Sequence, residues 1–119
     1  AFYELVDYVQ NVKTYLAKAL ITTDDNHGAE TLTHVWREAN LAQAYLGMLP
    51  IESQELENTE KYLNQVSEFS YSLSRKSIEG QSLTDDDINK INYYYQLLIC
   101  IYYKNLYILS YLIVLHLNN

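Results

Sequence analysis

The chain has 119 residues, a formal net charge of −7 at pH 7, one cysteine, three glycines and one proline. This length suits one domain, and the lack of an initiator methionine before Ala1 favours a fragment of a longer protein. The acidic balance disfavours nucleic acid and anionic membrane faces, because few cations are available to neutralise phosphates. The single cysteine, Cys100, excludes an internal disulfide.

Three amphipathic segments predict three helices. Apolar residues alternate at spacings of three and four over residues 1–22, which is typical of the seam of a helical bundle. The dense turn formers of 22–28, TTDDNHG, then predict a loop. The third helix is predicted over 54–78, and Gly80 is its expected C-cap. The predicted seams consist of Phe2, Leu5, Val9, Val12, Leu16 and Ala19 in the first helix, and Leu56, Leu63, Val66 and Leu73 in the third.

The second helix is predicted over Ala29 to Pro50, and it organises the chain. Pro50 disfavours helical backbone at the preceding residue and ends the helix. Gly47 and two seam alanines indicate close approach of a neighbouring helix. Trp36 adjoins the seam, so we expect it to be mostly buried and Trp36→Ala to cost about 3–5 kcal/mol. The seam consists of Leu32, Val35, Ala39, Ala42, Leu46 and Leu49.

A fourth helix is predicted to begin near Asp85. Thr84 and Asp87 have the spacing of a capping box, with Ile88 and Ile91 facing inward. From Tyr93 onward the amphipathic pattern is lost, and seven of the 13 tyrosines fall there. Three interpretations remain open for residues 93–119: a membrane-associated helix, a helix buried in an oligomer, or sequence translated in the wrong frame.

The sequences of the first three predicted helices resemble a known protein family. The segments AFYELVDYVQNVKTYLAKAL, HGAETLTHVWREANLAQAYLGMLP and ELENTEKYLNQVSEFSYSLSRKSIEGQSLT together resemble the N-terminal extracytoplasmic region of the germination protein YpeB family. The resemblance covers residues 1–92, whereas residues 93–119 depart from it. The domain division predicted from it is therefore a helical region over 1–92 and an apolar tail over 93–119.

The resemblance implies a role in spore germination. Family members are held at the spore inner membrane by an N-terminal anchor, which would precede Ala1, and a region of PepSY-type repeats follows. The implied partner is a spore cortex-lytic enzyme of the SleB type, which the family stabilises during dormancy and restrains. Cortex hydrolysis would belong to that partner, since the resemblance carries no catalytic residues into this region.

The sequence predicts no catalytic, cofactor or metal site. His27 with Asp24 and Asp25, the His34–Glu38 pair and the run Asp85–Asp87 are better explained by turns, helix surfaces and caps. Tyrosines near the seams are candidates for protein–protein interaction, because a ring buries area while its hydroxyl stays hydrated. These candidates are Tyr8, Tyr15, Tyr45, Tyr62 and Tyr71.

Together these features predict an all-α fold, an antiparallel helical bundle of three to four helices. The predicted function is non-enzymatic docking, stabilisation and restraint of a cortex-lytic enzyme on the extracytoplasmic side of the spore inner membrane, without nucleic acid or cofactor. The alternative is a membrane-tethered helical sensor module of a bacterial envelope protein. Whether the isolated domain binds the hydrolase without any ligand would distinguish the docking module from the sensor.

Overall fold

The computed structural model of the protein describes residues 2–22, 25–49 and 54–117. Over these ranges the chain forms four α-helices and contains no strand. Each helix begins or ends close to a polar or turn-forming segment of the sequence. The helices are α1 (Phe2–Ile21), α2 (Asp25–Gly47), α3 (Gln54–Ile78) and α4 (Asp85–Leu117).

Consecutive helices run antiparallel. Tyr8 of α1 stacks on Tyr45 of α2, whereas Tyr15, further along α1, stacks on His34, which comes earlier in α2. The same reversal relates α2 to α3 and α3 to α4. Because α4 also packs against α1, the four helices close a ring around one core. The predicted all-α antiparallel bundle is confirmed.

The predicted seams form this core. Every predicted seam residue whose side chain the structure describes is buried, except Leu49, which is half-buried. Burial of one apolar stripe per helix is what fixes the rotation of each helix about its axis. The α3 stripe also buries small polar residues on its core side, namely Thr59, Ser67, Ser70 and Ser74.

The ends of α2 differ from the prediction. The helix begins at Asp25, so it includes part of the predicted loop. The helix ends at Gly47, ahead of Pro50. The prediction that a neighbouring helix approaches closely at Gly47 is wrong, because a Cβ built there would meet no atom within 4 Å. The tight packing of α2 comes instead from Ala39 and Ala42, both fully buried.

The turn from α3 to α4 is fixed by backbone hydrogen bonds at the end of α3 and by an ion pair across the turn. Gly80 has a φ of +85°, and the amides of Gly80 and Gln81 donate to the carbonyls of Ser77 and Lys76. This is a Schellman motif, and it confirms the predicted C-cap. Across the turn, the Lys76 Nζ lies 2.7 Å from Asp87 Oδ2.

The predicted capping box at the start of α4 is confirmed. The amide of Asp87 donates to Thr84 Oγ1 at 3.1 Å, and the amide of Thr84 donates to Asp87 Oδ2 at 2.9 Å. One carboxylate therefore caps α4 and also binds the last turn of α3 through Lys76. The prediction that Ile88 faces inward is wrong, since this side chain is 42% exposed.

Helix α4 crosses the predicted division between residues 92 and 93 without a break. Ile91, before that division, and Leu98, after it, are both fully buried in the same core. Lys13 of α1 also lies over the ring of Tyr102 at 5.4 Å from its centroid. The first part of the apolar tail is thus a core partner of the other helices.

Leu98→Ala tests this contribution of α4. We expect it to lower the free energy of unfolding by about 2–5 kcal/mol, because it removes a fully buried side chain and leaves a cavity. The matched control is Ile78→Ala, an aliphatic residue that is 66% exposed, for which we expect a change within about 0.5 kcal/mol. Both are measured by urea unfolding. Equal effects of the two substitutions would show that α4 does not complete the core.

The pKa of Asp87 gives a second prediction. Partial burial raises this pKa, but the hydrogen bonds from Lys76 and Thr84 and the charge of Lys76 together lower it below the usual 3.8. A carboxylate with a lowered folded-state pKa stabilises the fold above its unfolded-state pKa, and this contribution is lost as pH falls through the folded-state pKa. We therefore expect Asp87→Ala to lower the melting temperature by a few degrees at pH 7 and by little at about pH 2.

Asp85→Ala is the control for that experiment, since it removes a charge from the same helical turn. We expect it to affect the melting temperature less than Asp87→Ala at pH 7. A difference between the two variants that persisted unchanged at about pH 2 would contradict the role assigned to the ionised Asp87.

Candidate functional site

The five candidate tyrosines lie in three different places. Tyr8, Tyr15 and Tyr45 come together where α1 meets α2. Tyr71 lies on the other flank of α2, against Trp36. Tyr62 is buried between α3 and α4. The structure therefore does not form one strip from all five, and it brings three of them to a single surface.

We call this surface the α1/α2 seam. It lies at the outside of the bundle and is distinct from the buried seams that form the core. It consists of Tyr8, Asn11, Tyr15, His34, Glu38 and Tyr45, which face one another across the outer groove between the two helices. These residues recur at spacings of three, four and seven, so they follow one flank of each helix beside its buried stripe. The local cause of the seam is therefore the same periodicity that builds the core.

Two aromatic pairs mark the ends of the seam. Tyr8 and Tyr45 stack with ring centroids 5.3 Å apart and an interplanar angle of 27°. Tyr15 and His34 stack at 4.7 Å and 11°, and Lys18 places its Nζ 5.3 Å from the centroid of the Tyr15 ring. All four rings are half-buried. Such rings present apolar area in a fixed orientation at low entropic cost.

A polar bridge joins the helices between these pairs. Asn11 Nδ2 donates a hydrogen bond of 3.2 Å to Glu38 Oε2. The seam thus alternates aromatic, polar and aromatic contacts along the groove. This arrangement suits recognition of a protein surface, in which rings are covered and the polar bridge sets the register.

Tyr8 stays protonated at neutral pH. Its partial burial raises the pKa of the phenol above 10, and the neighbouring Tyr45 and Glu38 raise it further. A protonated phenol beside a carboxylate acts as a hydrogen-bond donor and not as a base or a nucleophile. Tyr8 therefore contributes a hydrogen-bond donor to the seam.

Tyr62 is a core residue. Its side chain is 2% exposed, and its hydroxyl donates to the carbonyl oxygen of Tyr94 at 2.7 Å. Burial and the nearby Tyr94 raise the pKa of its phenol strongly. Phe69 also packs against Tyr94, with ring centroids 4.9 Å apart. Tyr62 therefore joins α3 to α4 and is not part of a surface available to a partner.

Tyr71 and Trp36 form a separate aromatic pair on the outer flank of α2 and α3. Their ring centroids are 5.3 Å apart with an interplanar angle of 45°, and Tyr71 is 45% exposed. Trp36 is half-buried and lies outside the buried core cluster. One turn further along α2, Asn40 accepts a hydrogen bond from Ser67 at 2.8 Å.

Sequence reasoning missed three members of the seam, namely Asn11, His34 and Glu38. His34 was considered with Glu38 as a metal pair, but His34 stacks on Tyr15 while Glu38 accepts from Asn11. Their sequence signal was present, since both fall on the flank that carries Tyr45. Among the described residues no group of three or more His, Cys, Asp or Glu is placed to hold a metal ion. The side chains of Asp24, Asp25 and His27, which the sequence assigns to a turn, lie outside the described residues.

Among the residues that the structure describes, no helix is both long enough and apolar enough to cross a bilayer.

The position of Trp36 changes the stability expected for its substitution. Because the indole packs beside Tyr71 and outside the core cluster, we expect Trp36→Ala to cost about 1–2 kcal/mol, less than the 3–5 kcal/mol of a fully buried tryptophan. Guanidinium unfolding of the variant measures this. A loss of 3 kcal/mol or more would place the indole within the core, and Tyr71→Phe provides a control that keeps the ring contact.

The comparisons with known proteins identify the family. The model described as YpeB N-terminal matches residues 1–101. The chain is 29% identical over 91 residues to the sporulation protein YpeB of Halalkalibacterium halodurans, which is 76% of this chain and 20% of that protein. It is 25% identical over 96 residues to the sporulation protein YpeB of Bacillus subtilis, which is 81% of this chain and 21% of that protein. No solved structure matches the chain.

The family model reaches residue 101, whereas the predicted resemblance ends at residue 92. The chain spans about a fifth of the length of the curated relatives that it matches. Because the family model covers most of its residues, the chain belongs to the YpeB N-terminal family.

Proposed function

We propose that this chain is a helical docking module of a sporulation protein and that it acts by contact rather than by catalysis. Its partner would be a SleB-type spore cortex-lytic enzyme, held, stabilised and restrained on the extracytoplasmic side of the spore inner membrane. Membership of a family whose relatives are named sporulation proteins supports the general role. The observation that carries the docking mode is the α1/α2 seam, with its paired half-buried rings.

The chemistry of the seam defines the surface that it would bind. Four rings lie in fixed pairs, and Glu38 adds a carboxylate at the centre. The chain carries a net charge of −7, which favours approach of a basic surface. We therefore expect the partner to present apolar side chains flanked by lysine or arginine at the site of contact.

The carboxylates of the bundle suit a binding module better than a hydrolase. A glycoside hydrolase uses two carboxyl groups that flank the scissile bond in a cleft, one of them with a pKa raised by its surroundings. Glu57 and Glu60 line a shallow polar groove between α2 and α3, and both are exposed. The other residues that line this groove, Gln43, Lys61 and Asn64, are all polar.

The sensor alternative is favoured by one specific feature of α3. This helix turns Ser67, Ser70 and Ser74 toward the core, and the buried Ser70 Oγ has no hydrogen-bond partner among the described residues. An unsatisfied buried hydroxyl lowers the stability of the observed packing relative to a shifted one. A sensor would use such a shift of α3 against its neighbours to relay a signal.

The docking proposal is tested by binding of the whole 119-residue chain to a purified cortex-lytic enzyme without added ligand. We expect Tyr8→Ser combined with Tyr15→Ser to weaken binding at least tenfold, because the two stacked pairs are lost. Tyr71→Ser is the matched control, as it removes an exposed tyrosine of α3 that packs against the opposite flank of α2. Circular dichroism of each variant verifies that the helices are retained.

Three results decide between the alternatives. Weaker binding by the double variant alone supports docking through the seam. Equal loss in the control would move the contact away from the seam. Binding that requires a small ligand or a membrane anchor, with seam variants fully active, would favour the sensor. In spores that carry the full-length protein, the docking proposal further expects lower hydrolase levels in the double variant before germination.

A further inference from the structure

Helix α4 carries apolar side chains on two opposite sides. One side faces the core through Ile91 and Leu98, both fully buried. The other faces away from the bundle and bears large side chains whose exposed fractions are 60% for Tyr93, 62% for Tyr103, 76% for Tyr107, 59% for Tyr111 and 53% for Val114. A helix that is apolar all round is normally covered all round, but none of the described residues of the chain covers this second side.

The outward residues have the spacing of a coiled-coil seam. Tyr93, Cys100, Tyr107 and Val114 are seven residues apart, and Tyr103 and Ser110 fall three after the second and third of them. All six are exposed. This heptad pattern, together with Tyr111, defines what we call the outer face of α4. A strict heptad pattern keeps one stripe of a helix in contact with a second helix along its length.

The area of the outer face suits a dimer of modest stability. Since an aromatic side chain has roughly 150–250 Å² to bury, the four exposed tyrosines and Val114 leave on the order of 600 Å² uncovered. The largest apolar patch of an ordinary monomer is about 300–600 Å², and each partner in a standard interface buries about 800 Å². The uncovered area of the outer face is therefore at the top of the range for an apolar patch of a monomer. It is also close to the area that each partner buries in a standard interface.

Charge favours a second copy as the occupant and sets its direction. All acidic residues of the chain precede residue 93, and Lys104 is the one charged residue after it at pH 7. Two copies of this acidic chain therefore repel least along the outer face. A parallel pair would place Asp85, Asp86 and Asp87 of both copies side by side, whereas an antiparallel pair puts these carboxylates at opposite ends and opposes the helix dipoles.

We propose that two copies of this chain associate through the outer faces of α4, packed antiparallel about Tyr103 and Lys104. The core side of α4 stays within its own bundle, and the second copy covers the exposed tyrosines. This interface is isologous, as the same residues contribute from both copies. The inference is independent of the docking proposal, because it uses a different surface of the bundle.

Sedimentation of the full chain tests the association. We expect a mass near twice 13.9 kDa at protein concentrations of tens of micromolar, with dissociation on dilution. Tyr103→Ser combined with Tyr107→Ser should give a monomer with unchanged helix content. The matched control, Ile21→Ser combined with Met48→Ser, removes two apolar side chains that are 81% and 68% exposed elsewhere, and it should remain dimeric.

Disulfide formation tests the direction, because Cys100 is the sole cysteine. In a Cys100→Ser background, Tyr103→Cys lies near the proposed twofold axis and should oxidise to a linked dimer, whereas Tyr93→Cys should not. Linkage at both positions would reject the antiparallel arrangement. A wild-type monomer at 100 µM, dissociation of the control variant, or binding to phosphatidylcholine vesicles in place of self-association would overturn the proposal.

Discussion

The narrow apolar stripe of α2 constrains the rest of the bundle. Two of its residues, Ala39 and Ala42, are fully buried, so their small side chains set how closely neighbouring helices can pack. Helix α2 packs against α1 on one flank and against α3 on the other. A stripe this narrow cannot cover the large side chains that adjoin it, and those side chains remain half-buried along the two outer grooves. The aromatic surfaces of the protein follow from this geometry.

The same constraint explains why the tyrosines differ in role although they resemble one another in sequence. Tyr8, Tyr15 and Tyr71 all lie beside a buried stripe, yet each faces whichever neighbour packs on its own side. Tyr62 lies on the flank of α3 that meets α4, where Tyr94 and Phe69 enclose it. Its hydroxyl is satisfied by a carbonyl of α4 and does not reach solvent. One flank thus gives a surface ring and the opposite flank a core ring.

This difference also marks how far the sequence predicts the structure. Periodicity predicts the buried stripes, and local chemistry predicts both Gly80 as a C-cap and the capping box of Thr84 and Asp87, because these features depend on residues close together in the chain. The burial of Tyr62 depends on which helix occupies its flank, and one helix does not determine that. The close helix approach predicted at Gly47 is wrong for a similar reason, because a glycine is compatible with either a packed neighbour or open space.

The sequence of helix α4 does not show which of its sides faces the core. Its apolar residues occur on every side after residue 93, so no amphipathic pattern reveals that Ile91 and Leu98 face the core. Once those two residues fix the rotation of the helix, the remaining tyrosines divide into an inner and an outer set. The outer set lies away from the α1/α2 seam, because α1 meets α2 on one flank and α4 on the other, where Lys13 contacts Tyr102. Association through α4 would therefore leave both seams of a dimer open, so that two partner molecules could bind to one pair of chains.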